Sequence, residues 1–367
     1  MSTLAEICNL QTDKISFDAN LAGSYVSTEN MVPGKGGITV PEIAPKGQKV
    51  TAFEPGDVLV SNIRPYFKKI WHADRPGCCS NDVLVFRASR CIPDFLYYVL
   101  SDDRFFDYST KTAKGTKMPR GDKAAIMRYE VPPNSEKRQL AIASCLKPID
   151  ARIALNTRIN DYLLELAAAI FERALDAGSH FITLGDLVEL EDHKRIPLNK
   201  QEREARKGPF PYYGATSALD CVDDYLFDGI RLLIGEDGSV ITEDGKPVLQ
   251  YVWGKYWVNN HAHIMKSKSD YSLETIYVAL RKTNIAHIVT GAVQAKISQR
   301  NLNGLVLEMP DMFIPDFKMI FAKIRNNEDE DMRLSSLRDV LLPKLMSGEI
   351  DVSRVDLTQL NNHLCEC

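Results

Sequence analysis

EKRQLAIASCLKPIDARIALNTRINDYLLELAAAIFERA, residues 136–174, is the stretch that decides how this chain folds. Alternating steps of four and three residues from Ile142 land on Leu146, Ile149, Ile153, Asn156, Asn160, Leu163, Ala167, Ile170 and Ala174. One face is therefore mostly apolar with a period of about 3.5 residues, the seam of a coiled coil. Its two central positions are asparagines, which in such seams set register and partner orientation at some expense in stability. The helix calls for one particular partner.

That partner is expected in the same chain. From Phe313 the same steps reach Phe317, Ile320, Ile324, Asn327, Asp331, Leu334, Arg338, Leu341 and Leu345, again apolar at both ends and polar in the middle. The two runs superpose at a displacement of 171 residues: Ile149 on Ile320, Ile153 on Ile324, Asn156 on Asn327, Asn160 on Asp331, Leu163 on Leu334. An isolated amphipathic helix is common, but this repetition is not. The competing reading is of two unrelated core helices in one large domain.

Composition sets the frame around these helices. At 367 residues, 44% hydrophobic and 26% charged, the chain is long enough for two or more domains with their own cores, and reads as soluble and globular. It contains no uninterrupted apolar stretch of about 18 residues, and MSTLAEICNL lacks a basic region followed by an apolar one. Neither a membrane span nor a signal peptide is expected, and the expected location is cytoplasmic. The eight cysteines are scattered at positions 8, 78, 79, 91, 145, 221, 365 and 367 without a CxxC pair, which leaves them reduced and no zinc site defined. A net charge of −4 gives no global pull towards nucleic acid, so any such binding must come from local patches.

Upstream of the first long helix the chain reads as short strands and turns. A Pro-Gly-Asp turn feeds Val58, Leu59 and Val60, a second strand covers Val83 to Phe86, and a helix beginning at Pro93 is expected over residues 92–108. Residues 111–128 then carry six cations against the single acid Asp122, with Gly115 and Gly121 allowing close approach of backbone to a phosphate. A solvated surface loop is the ordinary fate of such a run.

After the break at residues 176–179 the chain starts again. Leu184, Asp186, Leu187 and Leu190 repeat Leu4, Glu6, Ile7 and Leu10 at a displacement of 180, and GAVQAKISQRNLNGLVLEMP from Gly291 takes the place of GTKMPRGDKAAIMRYEVP from Gly115. Two units of about 175 residues, each a globular module followed by a coiled-coil helix, account for nearly the whole chain. In the second module a strand is expected over residues 230–234 and another over 256–265, and residues 194–207 hold six cations against two glutamates, with Tyr212, Tyr213 and Gly214 close behind. Aromatics beside a basic run can stack on bases, although adjacent tyrosines in a β domain are more often half core and half surface.

Little in the sequence supports catalysis. His261 and His263 would face one side of a strand and could share a metal, but no third ligand stands at a sensible spacing. VPGKGG at residues 32–37 has glycines without the spacing or hydroxyl of a phosphate-binding loop. VPPN at residues 131–134 reverses the order of the Asn-Pro-Pro-aromatic motif of adenine methyltransferases. The pattern points to a two-headed binder with a helical spacer.

On FEPGDVLVSNIRPYF (53–67), EKRQLAIASCLKPIDARIALNTRIN (136–160), PYYGATSALDCVDDYLFDG (211–229), LLIGEDGS (232–239), GKYWVNNHAH (254–263), KISQRNLNGL (296–305) and LLPKLMSGEI (341–350), the chain resembles the specificity (S) subunits of type I restriction-modification systems over essentially its full length. The resemblance implies an α+β chain with two mixed α/β target-recognition domains separated by two long helices that form an antiparallel coiled coil, an internal pseudo-twofold repeat. It places recognition domains at 1–135 and 178–310, helices at 136–177 and 311–348, and a C-terminal tail at 349–367. Each domain would read one half of a bipartite double-stranded DNA target. The helices would set the spacing and dock DNA adenine methyltransferase (M) subunits carrying S-adenosylmethionine, and restriction (R) subunits using ATP and Mg can join. This chain would itself be non-catalytic, without cofactor or metal.

Carried onto this sequence, the resemblance implies DNA contact by Asn62, Arg64, Tyr66, Lys68, Lys114, Lys117 and Arg120 in the first domain. In the second it implies contact by Tyr212, Tyr213, Gly214, Ser217, Lys255, Asn259, Asn260, His261, Gln294, Lys296 and Arg300. Lysines would hold phosphates while Arg, Asn, Gln or Tyr reach base edges in the major groove. In an antiparallel pair Asn156 and Asn160 should lie close to Asn327 and Asp331. Pro148 is expected to kink the first helix or shift its start, and Pro343 to break the second near its end. The rival functions are a protein-binding adaptor on the same scaffold and a metal-dependent hydrolase built on His261, His263 and Glu236.

Overall fold

A computed structural model describes residues 2–17, 23–40, 49–291, 294–314 and 316–352. Most of the expected C-terminal tail, with Cys365 and Cys367, and Ala292 and Val293 of the GAVQAK stretch lie outside the described residues. The chain divides into two compact units, one built from residues up to Ala154 and from Asp331 onward, the other from Leu155–Glu330.

Within the first unit, strands Cys8–Leu10, Val83–Ala88, Val58–Ser61 and Ile70–His72 form an antiparallel sheet in that order. A second sheet follows the order Lys14–Ser16, Lys49–Phe53, Gly77–Cys79, Tyr25–Val26, its last pair parallel. The inward residues Val58, Val60, Leu84 and Phe86 pack on Phe95, Leu96, Val99 and Leu100 of helix Pro93–Ser101. The single helix expected over 92–108 is two: Asp102 interrupts it and caps the next, Asp103–Lys111, by accepting from the Arg104 amide at 2.9 Å.

The second unit repeats this plan. Val188–Leu190, Ala262–Ser267, Arg231–Gly235 and Leu249–Val252 form an antiparallel sheet with the same strand order. Beside it lies a sheet in the order Ala218–Val222, Lys207–Tyr213, Lys255–Val258, Phe227–Asp228. In each unit the two ends of the module meet in a small antiparallel pair, Ser2–Thr3 with Glu130–Val131 and Ser179–Thr183 with Val306–Pro310. The single strand expected over 256–265 is broken by a turn at Asn259, whose Oδ1 accepts from the His261 amide at 2.8 Å. His261 and His263 consequently do not share a strand face.

The long helices are Glu136–Ala177 and Asp316–Ser347. They pack antiparallel: in the first unit Arg338 reaches Asp150 and Arg138 reaches the Leu345 carbonyl, while in the second Asn156 meets Glu330 and Asn160 meets Asn327. Their apolar faces complete each module's core. Ile142, Leu146 and Ile149 join Leu334, Leu342 and Leu345 in the first unit, and Ala167, Phe171 and Ala174 join Phe317, Ile320 and Ile324 in the second. Each such Leu, Ile or Phe contributes on the order of 2 kcal/mol by leaving water.

Both helices run through their prolines. Pro148 neither ends the first helix nor moves its start, and the second continues from Pro343 to Ser347. The proline penalty, about 3 kcal/mol, is offset where Cys145, Leu146 and Ile149 are buried, and likewise around Leu342, Leu345 and Met346. At the seam's polar centre Asn156, Asn160 and Asn327 are buried, and Asn327 Nδ2 donates to Asn160 Oδ1 at 2.7 Å. Asp331, the fourth member of the expected group, belongs to the first unit.

Candidate nucleic-acid interface

Each unit crosses the end of a central strand with a late loop, and the hydrogen bonds that do so are duplicated. In the first unit the strand Val58–Ser61 runs into Asn62. The Gly121 amide donates to the Asn62 carbonyl at 3.0 Å and the Arg64 amide to the Pro119 carbonyl at 2.8 Å. Lys114 and Arg120 exchange both backbone bonds at 2.8 Å. In the second unit Arg231–Gly235 runs into Glu236, the Ile297 amide donates to the Glu236 carbonyl at 2.9 Å, and the Gly238 amide donates to the Ala295 carbonyl at 3.0 Å. Thr290 and Lys296 exchange bonds at 2.8 and 2.7 Å. The loops correspond at a displacement of 176 residues, Lys114 to Thr290 and Arg120 to Lys296. Both open on a glycine with positive φ, +95° at Gly115 and +97° at Gly291, a conformation costly for any side chain.

This architecture brings Asn62, Arg64, Lys114, Lys117 and Arg120 together, with Tyr66 and Lys68 on the adjoining 3-10 turn Pro65–Phe67. The cations are held by surface acids: Lys114 Nζ lies 2.6 Å from Asp122, Arg120 Nη2 3.1 Å from Asp82 and Lys68 Nζ 2.9 Å from Asp103. Exposed pairs of this kind are screened by solvent and contribute little to stability, so a phosphate can replace the acid at little cost. Tyr66 and Phe67 present a tilted aromatic pair, centroids 4.8 Å apart and both well exposed. Asn62 is buried; a Cβ on Gly121 would lie 2.9 Å from its Oδ1. Its backbone carbonyl, which accepts from the Gly121 amide, holds the loop from beneath, and its side chain turns inward. Among the described residues Asn62 Oδ1 and Arg64 Nε are buried without hydrogen-bond partners.

In the second unit the loop collects Gln294, Lys296, His261 and Asn260. Lys296 Nζ is 3.3 Å from Glu236, and His261 Nδ1 is 2.7 Å from Asp237 Oδ1. Other expected contacts turn inward. Tyr212 is buried, accepts from the Leu198 amide at 2.8 Å and lies beneath the Arg203 guanidinium, so it serves the core. Tyr213 sets its ring edge-on against Tyr256, and burial pushes its hydroxyl above the ordinary tyrosine value. Asn259 is buried in its turn, and Gly214, whose amide donates to the Ser217 carbonyl at 2.8 Å, is covered by Leu219. Ser217, Lys255 and Arg300 are exposed, with Lys255 over the Tyr225 ring at 4.5 Å. Among the described residues no hydrogen bond or ion pair joins their side chains to the loop.

Beneath this second loop lies a buried charge network that sequence spacing did not reveal. His263 Nδ1 faces Asp192 Oδ2 at 2.5 Å and Nε2 faces the Ile297 carbonyl at 2.9 Å. Asp192 also accepts from Gln299 at 2.6 Å and from the Ile264 amide at 2.9 Å, and Arg195 donates to Glu236 at 2.8 Å and to the Ala262 carbonyl at 2.7 Å. Burial works against the imidazolium, but the Asp192 carboxylate, the Ile297 carbonyl and Glu236 hold His263 above its ordinary value. Burial likewise penalises the Asp192 carboxylate, yet His263, the Ile264 amide and Arg195 hold it below the usual range.

Asp192, Glu236 and His263 place their donor atoms within 4.8 Å of one another, as a metal site would. In this structure protein groups already engage all three: the His263 nitrogens face Asp192 and the Ile297 carbonyl, and Arg195 and Lys296 pair with Glu236. His261, the other histidine of the rival hydrolase reading, turns to Asp237. The triad of the rival hydrolase reading, His261, His263 and Glu236, is not assembled. Among the described residues the cysteines are unpaired and mostly interior; burial pushes the Cys8 and Cys79 thiols up to about 12, which keeps them inert.

The model of the type I restriction modification DNA specificity domain matches residues 1–165 and again residues 178–314, most of the chain and once per module. The chain belongs to this family. A putative type I restriction enzyme specificity subunit of Haemophilus influenzae is 29% identical over 131 residues, 36% of this chain and 33% of that protein, so that alignment spans about a third of the relative's length. The type I restriction enzyme MjaIX specificity subunit of Methanocaldococcus jannaschii is 22% identical over 307 residues, 72% of this chain and 70% of that protein. Among solved structures, the S subunit of a type I restriction-modification system from M. genitalium superposes with a TM-score of 0.51 at 19% identity, covering 94% of this chain and 95% of that one. It shares the specificity-subunit fold: two mixed α/β modules, two long helices and an internal repeat. No described helix is long and apolar enough to cross a membrane.

Proposed function

We propose that this chain is the DNA sequence-specificity subunit of a type I restriction-modification complex, each module reading one half of a bipartite duplex target. The observation that carries the reading is the duplicated loop across a strand end, with Arg64, Lys114, Lys117 and Arg120 around it in one module and Gln294, Lys296, His261 and Asn260 in the other. Lysines would set register on phosphates, and Arg64, Tyr66, Asn260 and Gln294 would approach base edges. Tyr212, Asn62 and Asn259 support these surfaces from inside.

The helices would act as the ruler. Forty-two residues of helix at about 1.5 Å each span roughly 63 Å, so helix length would set the separation and rotation of the two readers. The same helices would dock adenine methyltransferase subunits, which bring S-adenosylmethionine, and a restriction subunit would add ATP-driven cleavage in the cytoplasm. The chain contributes recognition and no chemistry. No observation favours the adaptor alternative.

Salt titration tests this reading: the chain in complex with its methyltransferase should bind duplex DNA with log K falling linearly in log salt, since phosphate contacts release counterions. Binding that is absent, or indifferent to salt, contradicts it.

A further inference from the structure

The loop VPGKGG at residues 32–37 finds no phosphate-binding role, yet the first unit is tied together through it. Among the described residues three non-glycine residues have positive φ, Lys35 (+67°), Arg64 (+48°) and Lys68 (+52°), and all three meet here. The Lys35 amide donates to the Lys68 carbonyl at 2.9 Å and the Gly34 amide to the Phe67 carbonyl at 2.9 Å, so the loop clasps the turn bearing Arg64, Tyr66 and Lys68. Such backbone conformations persist only where the surroundings over-determine them, and they gather at functional sites.

The Lys35 side chain is only 4% exposed, although it is a lysine on a glycine-rich loop. Its ammonium lies 2.9 Å from Asp103 and 3.0 Å from Asp339 of the second long helix. Asp103 also holds Lys68 at 2.9 Å. Beyond Asp339 the chain of charges continues through Arg338, whose Nη1 donates to Asp150 of the first long helix at 2.8 Å; Asp150 in turn accepts from Tyr98 at 2.8 Å. An uninterrupted ionic path thus runs Lys68, Asp103, Lys35, Asp339, Arg338, Asp150, from the reading turn to both helices.

We infer that Lys35 is a positioning residue that fixes the first reading turn to the helical spacer, so that the distance at which the first half-site is read depends on this one buried ammonium. The inference rests on the specificity reading and adds a residue to it. Lys35 has no need to touch DNA; it acts through the turn Arg64–Lys68 and through Asp339. A buried ion bound to two acids on different elements suits this role, because removing it leaves both acids without their shared partner.

The test uses the full chain in its methyltransferase complex, with duplexes carrying both half-sites at the native spacing and at spacings one base pair longer and shorter. Lys35→Met keeps the stem and removes the charge, Asp339→Asn weakens the link to the helix at both Lys35 and Arg338 while leaving Asp103 in place, and Lys35→Arg restores the charge. Both K35M and D339N should keep the base preference of the first half-site while their discrimination against the wrong spacings falls about tenfold, and K35R should recover most of it. Amide exchange at Gly34 and Lys35 should also quicken in K35M, a reading that needs no DNA. Unchanged spacing discrimination in both K35M and D339N, or unchanged exchange in K35M, overturns the inference. If the wild-type complex itself shows no sequence preference, the specificity reading fails instead.

Discussion

Asn327 donates its side-chain amide to Asn160 Oδ1 at 2.7 Å in the polar middle of the helix seam, and both residues are buried. Changing Asn160→Leu strands the Asn327 amide away from water, and an unpaired buried amide costs about 1–3 kcal/mol. The midpoint of urea unfolding should therefore fall in N160L and recover in the double variant with Asn327→Leu. The double variant should also tolerate helix pairing out of register, since the polar pair no longer selects it.

The glycines that open the two loops should be selective handles. A Cβ at Gly291 would collide with the Gln294 carbonyl oxygen at φ +97°, whereas at Gly115 it would stand 3.5 Å from the Met118 carbonyl at φ +95°. Gly291→Ala should cost roughly 1–3 kcal/mol through backbone strain and weaken recognition of one half-site only. Gly115→Ala should be the milder change. Equal weakening at both half-sites in either variant would speak against independent readers.

His263 and Asp192 give the second module a defined dependence on pH. The folded value of His263 is raised, so its stabilisation is complete below the ordinary histidine value of about 6.5 and is lost as pH rises through the raised value. Asp192 is lowered, so its share is present above the ordinary carboxylate range and is lost as pH falls through the depressed value. His263→Gln should destabilise the protein by about 3–5 kcal/mol near pH 6, as breaking a buried pair does, with the gap to wild type narrowing as pH rises. Denaturant midpoints across pH for both proteins check this, and parallel curves would contradict it.

Lys114, Lys117 and Arg120 should act through charge, not sequence. Each change to Gln should weaken binding to all duplexes alike and flatten the salt slope by about 0.9 for every phosphate the variant no longer neutralises. Gln294→Ala or Asn260→Ala should leave the slope and relax preference at one position, reducing discrimination there by about 1–3 kcal/mol.

The coiled-coil seam, the repeat and the two loops were legible in the sequence because periodicity and displacement survive loop changes. Seam positions 142–174 and 317–345 and the GTKMPR and GAVQAK loops carry that signal, whereas Phe313, the first position of the second expected seam, lies ahead of the helix Asp316–Ser347 and is exposed. Inward and outward faces were harder to read. Tyr212 and Tyr213 carry the residue type of a stacking platform, but neighbouring Leu198, Arg203 and Tyr256 enclose them. The turn at Asn259 that parts His261 from His263 depends on one side-chain hydrogen bond that alternation cannot show. Lys35 and the His263 network join residues far apart in the chain, and neither leaves a local motif. Within the loops a finer signal does exist: one displacement of 176 residues lays Thr290 on Lys114 and Lys296 on Arg120, the same pairs that exchange backbone bonds.

The central claim is that two modules on one helical ruler read two half-sites. Co-expression with an adenine methyltransferase subunit, followed by genome-wide mapping of methylated adenines, tests it most directly. Methylation confined to one bipartite motif with a fixed spacing is the expected result; scattered or absent methylation by an intact complex would contradict the account.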